Sequence, residues 1–434
     1  MNLFARAWCS AVALTLLLPA IAGAQERRNP FTELFGRLPE RQGGDVTKID
    51  FRTTSGVQFS QILETDPAAG GGDVPEGLAG SADGMFSLLH ATDRLQSQAH
   101  ARIGYQEYRS DPVWGAPAYD TGGQVSVRAS QRLSIDAGGR FTRAPYFQLL
   151  PSPAFVFGDV GLAGDPFIAY LTDNQSVEGR AGITADYTKR SSLGISGTWT
   201  ETHFLKASED DFSARGFRAQ WRRRMSRDLS VHVAYARDEM RQRRLGADRF
   251  MNESFDVGVD FATSLPLARR TTLSFVTETS VLRENAGKRH FRLNGTAELA
   301  HGFKRTWRSS LSVLRATDFL PGFTAPVFSD TARASLSGYL AKRFILNAGF
   351  NATQSQIGFS NGGDYLTYSG DSRLTFAISR HYGIFGQYVY YHYRLPSTAE
   401  SIVPLPQLSR QSYAFGVRTW LPIVNKDKVK SDPR

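Results

Sequence analysis

From about residue 50 onward, apolar and polar residues alternate one for one along most of the chain. Between Gln124 and Thr142, one set holds Val125, Val127, Ala129, Leu133, Ile135, Ala137 and Phe141. The other holds Gln124, Ser126, Arg128, Ser130, Ser134, Asp136, Arg140 and Thr142. Successive strand side chains point to opposite faces, so this stretch predicts a hairpin with one apolar and one charged face. The stripes recur. Ala99, Ala101, Ile103 and Tyr105 oppose Gln98, His100, Arg102 and Gln106, and Phe255, Val257, Val259 and Phe261 oppose Asp256, Gly258 and Asp260. Strand signals fall near 51–63, 82–92, 95–108, 121–131, 132–143, 175–188, 192–204, 213–223, 228–240, 251–263, 271–283, 290–300, 306–316, 331–341, 343–354, 365–378, 383–394 and 410–421. The first two are the weakest, and without them sixteen remain. The segment from Ile384 to Tyr393 is apolar on both faces and has no preferred orientation.

The connections alternate in length. Short ones lie around Thr92-Asp93, Gln131, Lys189-Arg190, Met225-Ser226, Leu265-Pro266, Gly302-Phe303, Lys342 and His381, and longer ones lie between them. Short turns at one end, long loops at the other and an even strand count describe an outer-membrane barrel. The predicted fold is therefore all-β: a transmembrane, up-and-down, antiparallel β-barrel of about 18 strands, with 16 as the alternative. A charge at the lipid midplane costs about 2–4 kcal/mol, so the charged stripes are expected to face the lumen. By the same reasoning Val257 and Val259 should meet lipid, and Gly258 should tolerate serine. Trp199, Trp221, Tyr235 and Trp307 lie on apolar stripes and suit aromatic girdles.

Residues 1–24 read as a secretory signal: Arg6 supplies the charge, Ala11 to Ile21 the apolar run, and Ala22-Gly23-Ala24 the small-residue cleavage site. The chain is expected to be exported, cleaved near Ala24, and placed in the outer membrane of a Gram-negative bacterium. Residues 25–50 form an irregular periplasmic lead, 51–422 the barrel and 423–434 a polar periplasmic tail. The only cysteine, Cys9, lies in the signal, so the mature chain has no disulfide. A formal charge of +10 and a mean hydropathy of −0.31 suit a barrel, in which only alternate strand residues meet lipid. The positive charge is compatible with an anion-accepting lumen or with anionic headgroups. Nucleic acid is a poor partner for an exported chain.

On this periodicity the chain resembles the porin-like β-barrel families of Gram-negative outer membranes, over nearly all of its mature length. Its last strand, Ser412-Tyr413-Ala414-Phe415-Gly416-Val417-Arg418-Thr419-Trp420-Leu421, looks like the insertion signal that closes such barrels. Thr419 stands where an aromatic is usual, and a polar tail from Asn425 to Arg434 follows. These departures argue against an ordinary trimeric general porin. The chain is more loosely similar to barrel proteins associated with exopolysaccharide export. The resemblance implies outer-membrane lipid, lipopolysaccharide and the barrel-insertion machinery as partners. It implies a channel for passive diffusion of small hydrophilic solutes, anionic ones among them. The alternative is a non-conducting barrel serving assembly or export of surface polysaccharide.

Enzymatic chemistry finds no support. The eight histidines are scattered, with no serine elbow and no metal-ligand spacing. His232 with Asp238, or His290 with Glu284, are weak candidates, better read as polar wall residues. No cofactor or metal is expected. The expected lumen lining is Arg102, Arg128, Asp136, Arg140, Glu178, Arg180, Arg218, Asp256, Asp260, Arg292, Glu298, Arg333 and Arg373. Most should form charge ladders that stiffen the wall, while charged rings also set selectivity. The connection from Ala144 to Asn174 is the longest. It is rich in aromatic residues, including Phe155 and Phe157, and carries Asp159 and Asp165 but no lysine or arginine. It is expected to be the third extracellular loop and to fold inward as a constriction.

Overall fold

A computed structural model describes residues 44–65, 77–108, 114–145, 173–204, 211–242, 249–264, 271–283, 289–303, 306–318, 327–358, 364–394 and 407–429. The expected signal (1–24), most of the lead, and the constriction residues Phe155, Phe157, Asp159 and Asp165 lie outside them. The elements are β1 (Gly44–Thr65), β2 (Gly77–Ala91), β3 (Leu95–Tyr108), β4 (Trp114–Arg128), β5 (Leu133–Pro145), β6 (Asp173–Asp186), β7 (Ser191–Phe204), β8 (Phe212–Arg224), β9 (Leu229–Gln242), β10 (Arg249–Ser264), β11 (Thr271–Arg283), β12 (Arg289–Phe303), β13 (Trp307–Asp318), β14 (Val327–Ala341), β15 (Phe344–Ile357), β16 (Asp364–Ala377), β17 (Tyr382–Arg394) and β18 (Gln407–Val429).

Each strand pairs antiparallel with its neighbours in sequence, and β18 pairs with β1, so the sheet of 18 strands closes on itself. The two weakest sequence signals, now β1 and β2, are both part of the wall. β1 begins at Gly44, inside the stretch read as lead, and β18 runs to Val429, inside the stretch read as tail. The reason is the closing ladder. Gly44 pairs with Val429 and Thr65 with Leu408, so each terminal strand supplies the partner that orders the other.

The alternation in connection length holds except between β10 and β11, where residues 265–270 match the length of 243–248 and exceed 284–288, and five of the short turns share one construction. In these a hydroxyl in the turn accepts backbone N–H groups two or three residues on: Thr92 from Arg94 and Leu95, Ser130 from Arg132, Thr188 from Arg190 and Ser191, Ser226 from Asp228 and Leu229, and Ser379 from His381 and Tyr382. This is the local side-chain turn that serine and threonine favour. One face of the wall keeps its large apolar residues exposed, among them Phe59, Ile103, Ile183, Phe217, Phe255, Val257, Phe350 and Phe415. For an isolated water-soluble domain so continuous an apolar surface would be a liability. On a closed sheet it is the face that suits lipid.

Two ladders stop short. β10 pairs with β11 only from Asp260 to Ser264, and β12 with β13 only from Gly295 to Phe303, whereas β11 and β12 pair along their whole length. Both interruptions fall at one level, because Thr277, just past the last paired residue of β11, lies opposite Gly295. Here the Thr277 hydroxyl accepts the Val259 N–H at 3.2 Å, in place of a backbone carbonyl. Beyond this level the hairpin is held by side chains: Thr317 donates to Asn294 at 3.3 Å, and the Arg292 guanidinium lies 4.2 Å over the Phe328 ring.

The expectation for Gly258 is corrected. A β-carbon there would meet the Thr277 carbonyl oxygen at 1.7 Å and the His232 ring at 2.6 Å, so no side chain fits. Val257, at mid-strand, is well exposed on the apolar face. Val257→Arg should therefore cost about 2–4 kcal/mol of folding into bilayers, as lipid-facing arginines do at the midplane. Gly258→Ser should also impair folding, through overlap in the wall and not through lipid. A heat-modifiability assay checks both. The short β10–β11 ladder gives a second expectation. The Val259 N–H points toward β11, so those of Val257 and Phe255 do too, and they should exchange with deuterium faster than those of Asp256 and Ser254, which point to β9.

Candidate functional site

The charged face is the inner one, as contacts that skip a strand reveal. Arg218 on β8 reaches Asp256 on β10 at 3.0 Å, passing over β9. Arg180 on β6 donates to Gln124 on β4, passing over β5. Neighbouring strands lie about 4.8 Å apart, so each contact spans roughly 10 Å. Side-chain tips converge on the concave side of a curved sheet and diverge on the convex side, and only convergence makes such contacts.

Small residues make room for these crossings. Arg218 lies opposite Ala236, and both Ala236 and Ala234 are buried beneath the crossing. A β-carbon at Gly138 would sit 3.1 Å from Arg180 Nε. Carboxylates lie over glycines in the same way: Asp136 is 2.8 Å from where a Gly182 β-carbon would be, and Asp371 is 2.5 Å from that of Gly349. These charged side chains thus lie along the wall, seated on small neighbours.

Four of the ion pairs share an asymmetry that Arg52 and Asp50, at 13% and 16% side-chain exposure, do not. Side-chain exposure is 22% for Arg102 against 7% for its partner Asp83, 40% for Arg140 against 26% for Asp120, 33% for Arg218 against 4% for Asp256, and 52% for Arg222 against 22% for Asp260. In each pair the carboxylate sits deeper and the guanidinium is presented. Arg140 is held by two hydrogen bonds to Asp120, at 2.9 and 3.0 Å, and lies opposite Glu178 across the β5–β6 ladder.

The expected lining residues are spread around the wall: Arg102 on β3, Arg128 on β4, Asp136 and Arg140 on β5, Glu178 and Arg180 on β6, Arg218 on β8, Asp256 and Asp260 on β10, Arg292 and Glu298 on β12, Arg333 on β14 and Arg373 on β16. Arg292 behaves differently from the rest. It lies past Gly295, where β12 leaves β13, and packs on Phe328. Arg373 is buried, donating to Gln387 with its guanidinium 4.7 Å over the Phe385 ring. That contact orients β17. Phe385, Gln387, Val389 and Tyr391 are buried on the inner side, while Ile384 is exposed outside. Alternation could not settle this strand because both of its faces are apolar.

Sequence reasoning also missed Asp83, Asp120 and Arg222, the partners that complete the pairs. Their signal was their place on the polar stripe, but the strand that each would meet could not be known before the register. His232 lies 3.1 Å from Asp260, not beside Asp238. Glu284, the proposed neighbour of His290, is outside the described residues. Among the described residues, no group of three or more histidine, cysteine or acidic side chains could hold a metal ion. Of the aromatics assigned to girdles, Trp221 donates to the Tyr187 hydroxyl and Tyr235 packs 5.1 Å from Phe255. Trp307 stacks on Phe303 and lies flat over Gly338.

Wall, turns and faces define a porin-like, closed up-and-down β-barrel. No family model matches the chain, and no curated protein matches it in sequence. Among solved structures it is similar to OpdQ of Pseudomonas aeruginosa, with a TM-score of 0.46 at 9% identity, covering 87% of this chain and 99% of that one. It is similar to OpdL of the same organism, with a TM-score of 0.46 at 12% identity and the same coverage. The siderophore receptor PirA of Pseudomonas aeruginosa gives a TM-score of 0.43 at 9% identity, covering 88% of this chain and 81% of that one. These are likenesses of barrel outline and of nothing finer.

The burial asymmetry has a measurable consequence. Arg218→Gln leaves Asp256 buried without this partner and should destabilise the barrel by about 2–3 kcal/mol, whereas Asp256→Asn leaves an arginine that can turn to water and should cost about 1 kcal/mol. Urea unfolding from lipid vesicles compares the two.

Proposed function

We propose that this barrel is an outer-membrane channel through which small hydrophilic solutes diffuse passively, with anions favoured. A barrel of this size has room for an aqueous channel. The observation that carries the anion preference is an asymmetry in four inner-wall pairs, where the carboxylate withdraws against the strands and the arginine is presented. Charges so placed lower the barrier for one sign of ion. On this reading Arg102, Arg128, Arg140, Arg180, Arg218 and Arg333 line the conducting path. The connection between β5 and β6 folds in as its constriction, with Asp159 and Asp165 toward those arginines. The chain carries out no catalysis, and residues 1–24 direct its export.

A second reading is favoured by one observation. On the inner side of β16 to β18, Thr367, Arg373, Gln387, Tyr391, Arg410 and Ser412 are all buried. A bore closed over this sector would suit a non-conducting partner in polysaccharide assembly or export.

Planar-bilayer recording separates the two. The channel reading expects discrete current steps and a reversal potential favouring chloride over potassium, and Arg180→Gln with Arg218→Gln should shift that potential toward zero. Deleting residues 151–166 should enlarge the single-channel step while leaving insertion intact. Silence at high protein loading in a correctly folded sample overturns the channel and leaves the export partner.

A further inference from the structure

Cations stand at both rims of the barrel. At the long-loop rim several are paired, Arg241 with Glu239 at 3.0 Å, Arg315 with Asp330 at 2.6 Å, Arg237 with Glu253 at 3.8 Å, and His203 between Glu201 and Asp211 at 3.2 Å each, while Arg394 is exposed without an ion pair among the described residues. At the short-turn rim Arg94, Arg132, Arg190 and Arg343 make no ion pair among the described residues, and all four are exposed. They also occupy the same place in their turns. Each immediately precedes a strand, and its carbonyl accepts an N–H from the strand alongside: Arg128 to Arg94, Asp186 to Arg132, Arg224 to Arg190, and Ala377 to Arg343. The backbone of each is therefore fixed at the edge of the wall. Lys189, Arg227 and Lys342 add exposed charge beside them.

Just inside this rim the apolar belt ends. Tyr187, Met225, Leu340, Ile378 and Tyr382 are each about half exposed at the strand ends. The four arginines stand at the turns before β3, β5, β7 and β15, three on consecutive short turns and the fourth six strands away around the ring of 18. What meets these turns lies at the level where exposed apolar side chains give way to charge, and an anion layer at that level is a layer of lipid headgroups.

We propose that the short-turn rim is a binding surface for anionic phospholipid headgroups, of the phosphatidylglycerol class, in the leaflet on that side. The turn arginines contact the phosphates while the aromatic and aliphatic residues above them enter the acyl boundary. This rests on the barrel's lying in a membrane but not on its conducting, so silence in a bilayer recording leaves it standing.

The test uses the full chain refolded into vesicles of phosphatidylcholine mixed with phosphatidylglycerol, and spin-labelled lipids report which headgroup occupies the motionally restricted shell. The wild type should favour phosphatidylglycerol several-fold at low salt, with the preference fading as salt rises. The fourfold variant Arg94→Gln, Arg132→Gln, Arg190→Gln, Arg343→Gln should fall close to no preference while keeping its heat-modifiable mobility. Should that variant not fold, the corresponding four Arg→Lys changes must retain the preference, and each single Arg→Gln change must lower it. Equal preference in wild type and folded variants overturns the proposal. So does loss of the preference on adding millimolar inorganic phosphate at constant ionic strength, which would make the rim a site for free phosphate. Tighter binding of polyglutamate than of the lipid would also overturn it, in favour of a soluble anionic partner.

Discussion

Hydrocarbon offers a backbone N–H or C=O nothing to bond with. A sheet that lies in it must therefore satisfy every strand from within, and only closure leaves no edge. The pairing of β1 with β18 meets that demand at the seam, the short β10–β11 and β12–β13 ladders meet it only in part, and the rest of the architecture follows from closure. Because the sheet closes, it has an inside. Because it has an inside, long side chains converge there and can pair across an intervening strand, as Arg218 and Asp256 do. Once closure has sorted the two faces, the outer face has no task except to be apolar.

The inner wall shows how charge is accommodated without filling the space it surrounds. Arg180, Arg218, Asp136 and Asp371 lie flat, each over an alanine or glycine of the adjoining strand, so that charge spreads along the wall. The glycine seats, Gly138, Gly182 and Gly349, are sensitive positions, because a methyl group there would press on the side chain that crosses it. In four of the pairs the deeper carboxylate holds the arginine in place. Structural ladder and charged lining are then one set of residues seen from two sides.

Much of this was legible in the sequence, for physical reasons that can be named. Period-two alternation marks strands wherever one face is apolar and the other is not, and eighteen signals became eighteen strands. The limits of β1 and β18 were not legible. Residues 44–50 and 422–429 show little alternation, and they are strands because each has the other to pair with. β17 defied orientation because Phe385, Val389 and Tyr391 are apolar residues that face inward. At Gly258 the stripe correctly named the face but could not reveal that the Thr277 carbonyl approaches it. Pairs such as Arg102 with Asp83 depend on register, which the order of residues along one strand does not contain.

The closing ladder bears on how the chain arrives at this state. The hairpins have partners close in sequence, and five of their turns are pinned by a hydroxyl of their own, so each can form as a local unit. The seam is different: the hydroxyls of Thr53 and Thr419, 2.6 Å apart, belong to residues separated by 366 positions. Bringing such distant ends together carries the largest loop entropy in the molecule and makes sealing the late, slow event of assembly. Until then β1 and β18 are bare edges, able to pair with a second copy of the chain. The ladder from Gly44–Val429 to Thr65–Leu408 runs the length of two of the longest strands in the barrel, so the seam closes last and, once zipped, is among the hardest to reopen.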